Sequence, residues 1–229
     1  ARLVTTFKFV FNLFFVRLIK FIAYFTKNMS ETPENIALRE QWQAFLLGDE
    51  QAFAELHKML FAVLYNYALK IQFGDESLSD DSVQELFIKL WTKRAKLPEV
   101  KSVKAYMMTS LRRQILNNIR NRQLQQLKVK VSRQPDIEFS HDEIVMKKEE
   151  DNSLHDKVLV LLNTLPRRQK EVIYLHYFAG MDHNQIAAVM GINYQSVSNF
   201  KQKALEKMRS AGLLRLFFAI SLLYRSSNH

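Results

Sequence analysis

Amide, hydroxyl and lysine side chains cluster between Gln195 and Lys203. A helical period places Val197, Phe200 and Ala204 together on the buried side of one helix. The opposite side then carries the polar residues Gln195, Ser196, Ser198, Asn199, Gln202 and Lys203. Amides and hydroxyls can hydrogen-bond to base edges in a major groove, and lysines can contact phosphates, as Lys201 and Lys207 could also do. The chemistry indicated is recognition of duplex DNA.

The residues just before this face predict the turn that would present it. Asp182 can cap a first helix, and the small Ala187 lets a second helix approach. Gly191 follows four residues later, where a turn needs a positive φ, and Val197 comes six residues after that. This spacing predicts a helix-turn-helix. A plain helical hairpin is the alternative, but four matching positions and a polar outer face favour DNA binding.

Composition excludes several kinds of chemistry. The 229 residues include no Cys, so thiolate metal sites, disulfides and Cys nucleophiles are excluded. The 5 Gly residues stand apart, so no Gly-rich phosphate loop exists. The 6 His residues lack metal-ligand spacing, and no nucleophile elbow occurs. We therefore expect no catalytic residue, metal site or cofactor, and no enzymatic activity.

Charge is unevenly distributed along the chain. The net charge of +10 favours a polyanionic partner. Residues 100–135 contain nine basic residues and no acidic one, whereas residues 136–156 contain eight acidic and two basic residues. Such blocks are typical of solvated or interacting segments. Residues 132–150, which contain Pro135 and most of the acidic run, predict a linker.

The remaining periodicity is helical, and no alternating strand pattern occurs. Residues 36–73 predict two helices broken near Gly48, and Ser79-Asp80-Asp81 offers N-cap groups for the next helix. An apolar stripe then follows at helical spacing: Val83, Leu86, Phe87, Leu90 and Trp91. A further helix is predicted over 103–123, with apolar positions that include Tyr106, Leu111, Ile115 and Ile119. The fold class predicted is all-α.

Two separated motifs resemble one protein family. The segment Leu165–Ala187, beginning Leu-Pro-Arg-Arg-Gln-Lys-Glu-Val-Ile, resembles the fourth region of the sigma-70 family of RNA polymerase sigma factors, as does Gln195–Arg209. Asp80–Trp91 and Ala105–Arg120 resemble that family's second region. The resemblance covers roughly residues 36–210, and the short layout is similar to the extracytoplasmic-function (ECF) group.

The resemblance implies roles for three sets of residues. The helix that docks on core RNA polymerase would present Asp81, Gln84, Glu85 and Lys89. The helix that grips and opens the minus-ten element would use Tyr106, Arg112, Arg113, Asn117, Asn118 and Arg120, although a core position is an equal alternative for Tyr106. The polar face at 195–203 would read the minus-thirty-five element. Two residues depart from the family pattern. Arg113 replaces a common amide, which would affect the base preference at the minus-ten element. Ser198 replaces a common basic residue, which would weaken phosphate contact.

The resemblance also implies a domain organisation and partners. Residues 29–127 would form a region 2 domain and 154–212 a region 4 domain, joined by the acidic linker 128–153. The linker is either solvated or placed in a basic channel of the polymerase. The apolar tail 213–229 either packs on the protein or binds a partner such as an anti-sigma factor. The expected function is a cytoplasmic sigma factor acting with core RNA polymerase and promoter DNA.

Two other functions fit parts of the sequence. The first is a stand-alone helix-turn-helix regulator, which would have no need of the Asp80–Trp91 motif. The second is a peripheral membrane protein that uses the apolar, basic residues 1–28 as an amphipathic helix. We expect this leader to lie outside the native fold, with Met29 as the start.

Overall fold

Apolar residues at helical spacing build the first part of the fold. The computed structural model describes residues 33–125, 136–139 and 152–214, together with 217, 218 and 221. Its first helices are α1 (Pro33–Leu46), α2 (Glu50–Ile71), α3 (Glu76–Lys93) and α4 (Val103–Gln125). The described residues from Leu38 onward belong to one compact unit.

The second, third and fourth helices pack around a shared apolar core. Helix α2 contacts both α3 and α4, and α3 contacts α4. Leu60 and Leu64 of α2 are fully buried. The apolar stripe predicted on α3 is confirmed, because Val83, Leu86, Phe87 and Leu90 are buried and Trp91 is half-buried. This packing leaves one long side of α3 in solvent.

The predicted N-cap of α3 is wrong by one turn. Helix α3 begins at Glu76, and the carboxylate of Asp75 accepts a hydrogen bond from the Leu78 amide at 2.9 Å. Ser79 lies inside the helix, fully buried, and donates to the Asp75 carbonyl at 2.6 Å. The reason is Gly74, whose φ of 79° turns the chain immediately before Asp75 and makes that residue the cap.

Four shorter helical segments form the second part of the fold. They are α5 (Asn152–Asn163), α6 (Arg167–Ile173), α7 (His183–Met190) and α8 (Tyr194–Ser210). Helix α6 continues into one wider turn over Tyr174–Phe178. Helix α8 packs on α6 and α7, and Val158, Leu162 and Leu175 are buried among these helices. The described residues contain no strand, so the all-α prediction is confirmed.

The linker and the tail are described only in part. Within the predicted linker, residues 136–139 are described, and Ile137 and Phe139 are each 2% exposed. Ile137 and Phe139 therefore pack on the protein, whereas Glu138 between them is exposed. In the tail, Phe217 is fully buried, with its ring centroid 4.9 Å from that of Tyr177. The leader 1–28 lies outside the described residues, and none of the described helices is long and apolar enough to cross a membrane.

A cavity-forming substitution tests this core. Leu64→Ala removes a fully buried side chain and should lower the free energy of unfolding by about 2–5 kcal/mol, because the lost contacts and the cavity both cost stability. Leu47→Ala is the control, since Leu47 is 91% exposed, and its effect should stay within about 0.5 kcal/mol. Urea unfolding followed by circular dichroism measures both. Equal effects would contradict the packing described here.

Candidate nucleic-acid interface

The predicted turn between α7 and α8 has helix-turn-helix geometry. The Asp182 carboxylate accepts hydrogen bonds from the backbone amides of Asn184 and Gln185. In turn, Gln185 Oε1 accepts a hydrogen bond from the Asp182 backbone amide. Gly191 has a φ of 64°, in the left-handed region where a side chain is strained. Val197 is fully buried. The cap, turn and anchor positions predicted from the spacing are confirmed.

The outer face of α8 presents the polar residues predicted for DNA recognition. Gln195, Asn199, Gln202 and Lys203 are exposed, and the two serines, Ser196 and Ser198, are half-buried. The Gln195 amide donates to the Asn199 carbonyl oxygen at 3.0 Å, so these two side chains hold each other in place. The Gln202 amide likewise donates to Glu206 Oε1 at 2.9 Å. The structure therefore brings all six residues onto one helix, with the three amides and Lys203 exposed.

Lys201 differs from the other lysines named on this helix in its burial and its pKa. Lys203 and Lys207 are exposed, whereas Lys201 is half-buried and burial lowers its pKa. Lys201 also lowers the pKa of His183 by its charge, although burial of the imidazole is the larger cause. The His183 Nε2 atom is buried and has no hydrogen-bond partner within the described part of the chain.

Helix α4 divides the predicted minus-ten residues between two faces. Arg113, Asn117 and Arg120 are exposed at positions i, i+4 and i+7, so they share one side of the helix. Asn118 is half-buried beside them. Tyr106 is half-buried near the start of the helix, with its ring centroid 5.4 Å from that of Trp42 in an edge-on contact. The core alternative for this tyrosine thus has a contact that supports it.

Arg112 faces away from that exposed side. Its Nε donates to Glu171 Oε1 at 2.7 Å and its Nη2 to Oε2 at 3.3 Å, in a two-pronged ion pair. Tyr67 OH donates to the same Oε1 at 2.9 Å. The side chains of Arg112 and Glu171 are 14% and 9% exposed. Arg112, which was predicted to contact DNA, is therefore paired with a carboxylate of α6.

Electrostatics around Glu171 agree with this geometry. Burial, and secondarily the charge of Glu171, raise the pKa of Tyr67 well above its usual value, so the phenol keeps its proton and donates it. Burial alone would lower the pKa of Arg112, but the hydrogen bonds and charge of Glu171 outweigh this and raise it. Arg112, Glu171 and Tyr67 together carry one positive and one negative charge, and the more exposed Arg168 adds a second cation, with its Nη1 3.8 Å from Glu171 Oε2.

The sequence offered no signal for Tyr67 and Glu171. Tyr67 lies 104 positions before Glu171, and Arg112 lies 59 positions before it. Tyr67 occupies an apolar position of α2, and Glu171 stands among charged residues that a helix normally exposes. Only the packing of α4 on α7 and of α2 near α6 brings them together.

The polar side of α3 lies in solvent as predicted. Asp81, Gln84 and Lys89 are exposed, and Glu85 is half-buried. Lys89 Nζ lies 2.6 Å from Glu85 Oε1 and donates to Gln114 Oε1 at 3.2 Å. The four residues predicted to dock on the polymerase thus form one continuous strip. Across the described ranges, no three His, Asp or Glu side chains are grouped to hold a metal ion.

Comparison with known proteins decides the family. The model of sigma-70 region 2 matches residues 52–125, and that of sigma-70 region 4 matches residues 155–208. The chain belongs to the sigma-70 family of RNA polymerase sigma factors. It is 21% identical over 166 residues to the ECF RNA polymerase sigma factor SigK of Mycolicibacterium vanbaalenii, a match that covers 70% of this chain and 82% of SigK. This places the sigma factor in the ECF group.

Two solved structures share the fold. The structure of CnrH in complex with the cytosolic domain of CnrY matches with a TM-score of 0.51 and 20% identity, covering 76% of this chain and 96% of CnrH. The structure of RpoE from Bartonella quintana, in complex with the anti-sigma factor NepR, matches with a TM-score of 0.52 and 21% identity, covering 71% and 96%. Both are similar in fold to this sigma factor.

The function follows from the family. This sigma factor binds core RNA polymerase and directs promoter recognition and transcription initiation, and both family regions occur in the expected order. The stand-alone regulator is not favoured, because region 2 is present as well as the helix-turn-helix.

The environment of His183 predicts a pH dependence of stability. Its folded pKa is lowered, so as the pH falls below the unfolded value of about 6.5 the unfolded state binds a proton first and stability is lost. His183→Gln should remove this loss and flatten the profile between about pH 7.5 and 5.5. Urea unfolding at the two pH values measures it. The control is the wild-type protein measured in parallel. Identical slopes in the two proteins would be the contrary result.

Proposed function

We propose that three surfaces of this sigma factor, on helices α8, α4 and α3, each contact a different partner. Helix α8 reads the minus-thirty-five element, the exposed side of α4 contacts the minus-ten element, and the strip Asp81, Gln84, Glu85 and Lys89 docks on core RNA polymerase. The observation that carries this proposal is the helix-turn-helix, which leaves the amides of Gln195 and Asn199 in solvent.

The face of α8 fits a major groove by its chemistry. Paired donors and acceptors on Asn and Gln suit the edge of adenine, and Lys203 and Lys207 supply charge for phosphates. The Gln195–Asn199 hydrogen bond supports the proposal because it fixes the direction of both amides before DNA arrives. Asn193, which caps the helix by accepting from the Ser196 amide at 2.7 Å, keeps its first turn regular.

The exposed side of α4 fits separated DNA strands. Arg113 and Arg120 provide positive charge without an acidic neighbour in the segment 100–135, which suits exposed phosphates. Asn117 and Asn118 add amide groups between them. Arg112 joins these residues in contacting DNA only when its ion pair with Glu171 is broken.

Three further assignments complete the proposal. The sigma factor catalyses no reaction itself and works in the cytoplasm with core RNA polymerase and promoter DNA. An anti-sigma factor is proposed as a third partner, with support from RpoE of Bartonella quintana, which is solved with the anti-sigma factor NepR. The domain limits are those predicted, 29–127 for region 2 and 154–212 for region 4.

The docking strip gives one test. The double variant Gln84→Ala, Glu85→Ala should bind core polymerase about tenfold more weakly, because it removes polar contacts at the centre of the strip. It should bind duplex DNA normally. The matched control is Gln51→Ala with Glu55→Ala, an exposed Gln and Glu on α2. Fluorescence anisotropy with labelled protein measures polymerase binding, and unchanged affinity of the first variant would reject the docking role.

The recognition face gives another test. Asn199→Ala and Gln202→Ala should each weaken discrimination at a particular base pair of the upstream element by about 1–3 kcal/mol, since each removes an amide that reads a base. Lys203→Ala is the contrast, because loss of a phosphate contact should weaken all sequences equally. Selection from a randomised promoter library with the holoenzyme reports both effects. Wild-type preference in both amide variants would exclude this face.

A further inference from the structure

Helix α8 carries one acidic residue, and that residue lies on the same side as the exposed amides. Glu206 is exposed, and no other Asp or Glu occurs between Tyr194 and Ser210. Gln195, Asn199, Gln202 and Glu206 follow one another at spacings of four, three and four residues. At about 100° per residue, these spacings place the four side chains within about 60° of one another around the helix. Glu206 is therefore the far end of the polar stripe that is proposed to read the minus-thirty-five element.

Glu206 is bonded to the amide of Gln202 in the same way as Asn199 is bonded to that of Gln195. Glu206 Oε1 accepts a hydrogen bond from Gln202 Nε2 at 2.9 Å, and Asn199 Oδ1 accepts one from Gln195 Nε2 at 3.0 Å. The two pairs repeat one contact along the stripe, between residues four positions apart. The second pair differs in its negative charge and in its three acceptor oxygens, because a carboxylate has acceptors and no donor.

The negative charge of Glu206 restricts what this side chain can face in a complex with DNA. Lys203 precedes it by three residues and Lys207 follows it directly, and both lysines are exposed. Within the residues that the structure describes, neither lysine forms an ion pair with Glu206. A carboxylate directed at phosphates would weaken binding to every DNA sequence, because the phosphates are also anionic. A carboxylate directed at the base edges instead meets exocyclic amino groups, which are hydrogen-bond donors.

The stripe is long enough to contact several base pairs. From Gln195 to Glu206 the helix rises about 16 Å, at about 1.5 Å per residue. Base pairs of B-DNA lie about 3.4 Å apart along the axis, and the major groove runs obliquely to that axis, so a helix lying in the groove spans about three to five of them. Asn199 and Glu206, about 10 Å apart along α8, would contact positions about two or three base pairs apart.

We propose that Glu206 is a specificity-determining residue of the reading face, and that its carboxylate accepts a hydrogen bond from N4 of a cytosine in the upstream element. Cytosine presents a single donor in the major groove, which matches a side chain that has only acceptors. Adenine presents its amino group beside the N7 acceptor, which suits an amide better than a carboxylate. Gln202 holds the carboxylate in place for this bond. The inference rests on the proposed reading role of α8, and the experiments separate the two.

The first experiment exchanges the carboxylate for an amide of the same shape. Holoenzyme formed with the wild type or with Glu206→Gln selects from a promoter library that is randomised across the upstream element. The wild type should require cytosine at one position, about two or three base pairs from the position that Asn199→Ala affects. Glu206→Gln should discriminate at least about tenfold less between cytosine and thymine there, because an amide can also donate to thymine O4. Glu55→Gln, an exposed glutamate of α2, is the matched control and should keep the wild-type preference.

The second experiment removes one donor from the DNA. N4-methylcytosine still pairs with guanine, but a methyl group replaces the N–H that cytosine directs into the major groove. Promoter fragments with either base at the selected position are titrated with holoenzyme, and fluorescence anisotropy gives the dissociation constants. The methyl group should weaken binding about tenfold for the wild type and less than about twofold for Glu206→Ala, which has no carboxylate to lose a partner. Asn199→Ala should show the wild-type loss, because its own base lies elsewhere.

The outcomes separate this assignment from the reading role of α8. A uniform gain of affinity for all sequences in Glu206→Gln would mean that the carboxylate only repels phosphates, and a uniform loss would mean that it contacts the polymerase or supports the helix. Either result overturns the assignment, as does a wild type without a cytosine requirement or an equal loss on N4-methylcytosine in the wild type and Glu206→Ala. A changed preference in Asn199→Ala then leaves the reading role of α8 in place. Wild-type preference in Asn199→Ala, Gln202→Ala and Glu206→Gln overturns both.

Discussion

The Glu171 carboxylate is the constraint on which the arrangement of this sigma factor depends. It is 9% exposed and accepts from the guanidinium of Arg112 and the hydroxyl of Tyr67. A buried carboxylate without partners would be costly, so the three groups must come together or separate together. Two of them lie on helices of region 2, and Glu171 lies on the short helix α6 of region 4. A single buried charge therefore links the positions of two regions that the chain connects only through a linker.

The two regions differ in how they hold their functional surfaces. The recognition surface of α8 is fixed locally, because the Asp182 cap, the left-handed Gly191 and the buried Val197 all lie within sixteen positions of one another along the chain. The surface of α4 depends on its neighbours, because Gln114 donates to the Ser82 carbonyl and Arg112 is held by Glu171. The reading face of α8 therefore depends on region 4 alone, whereas the groups that α4 presents also depend on Glu171 of region 4.

Local patterns in the sequence predicted the local parts of this fold. The helix-turn-helix followed from four residues at fixed spacing, and the buried side of α3 followed from a helical period that begins at Val83. The α3 cap differs from the prediction because Ser79-Asp80-Asp81 has the composition of a polar helix start, whereas the turn at Gly74 makes Asp75 the true cap. The contacts of Arg112 and of Ile137 could not be predicted, because a basic run and an acidic run each look solvated when read alone. Their partners lie on other helices, and no periodicity records a pairing across 59 positions.

A buried ion pair makes the contact between the two regions specific without making it strong. Removing Arg112 and Glu171 from water costs several kcal/mol per ion, and their attraction roughly offsets this, so the pair fixes the geometry of the contact at little net gain. Apolar burial supplies the remaining stability of the junction, because the rings of Tyr67 and Tyr174 stack across it and one hydrophobic core includes residues of both regions. The polar contacts of Gln185 with Ser102 and of Lys70 with the Glu138 carbonyl then add direction to this packing.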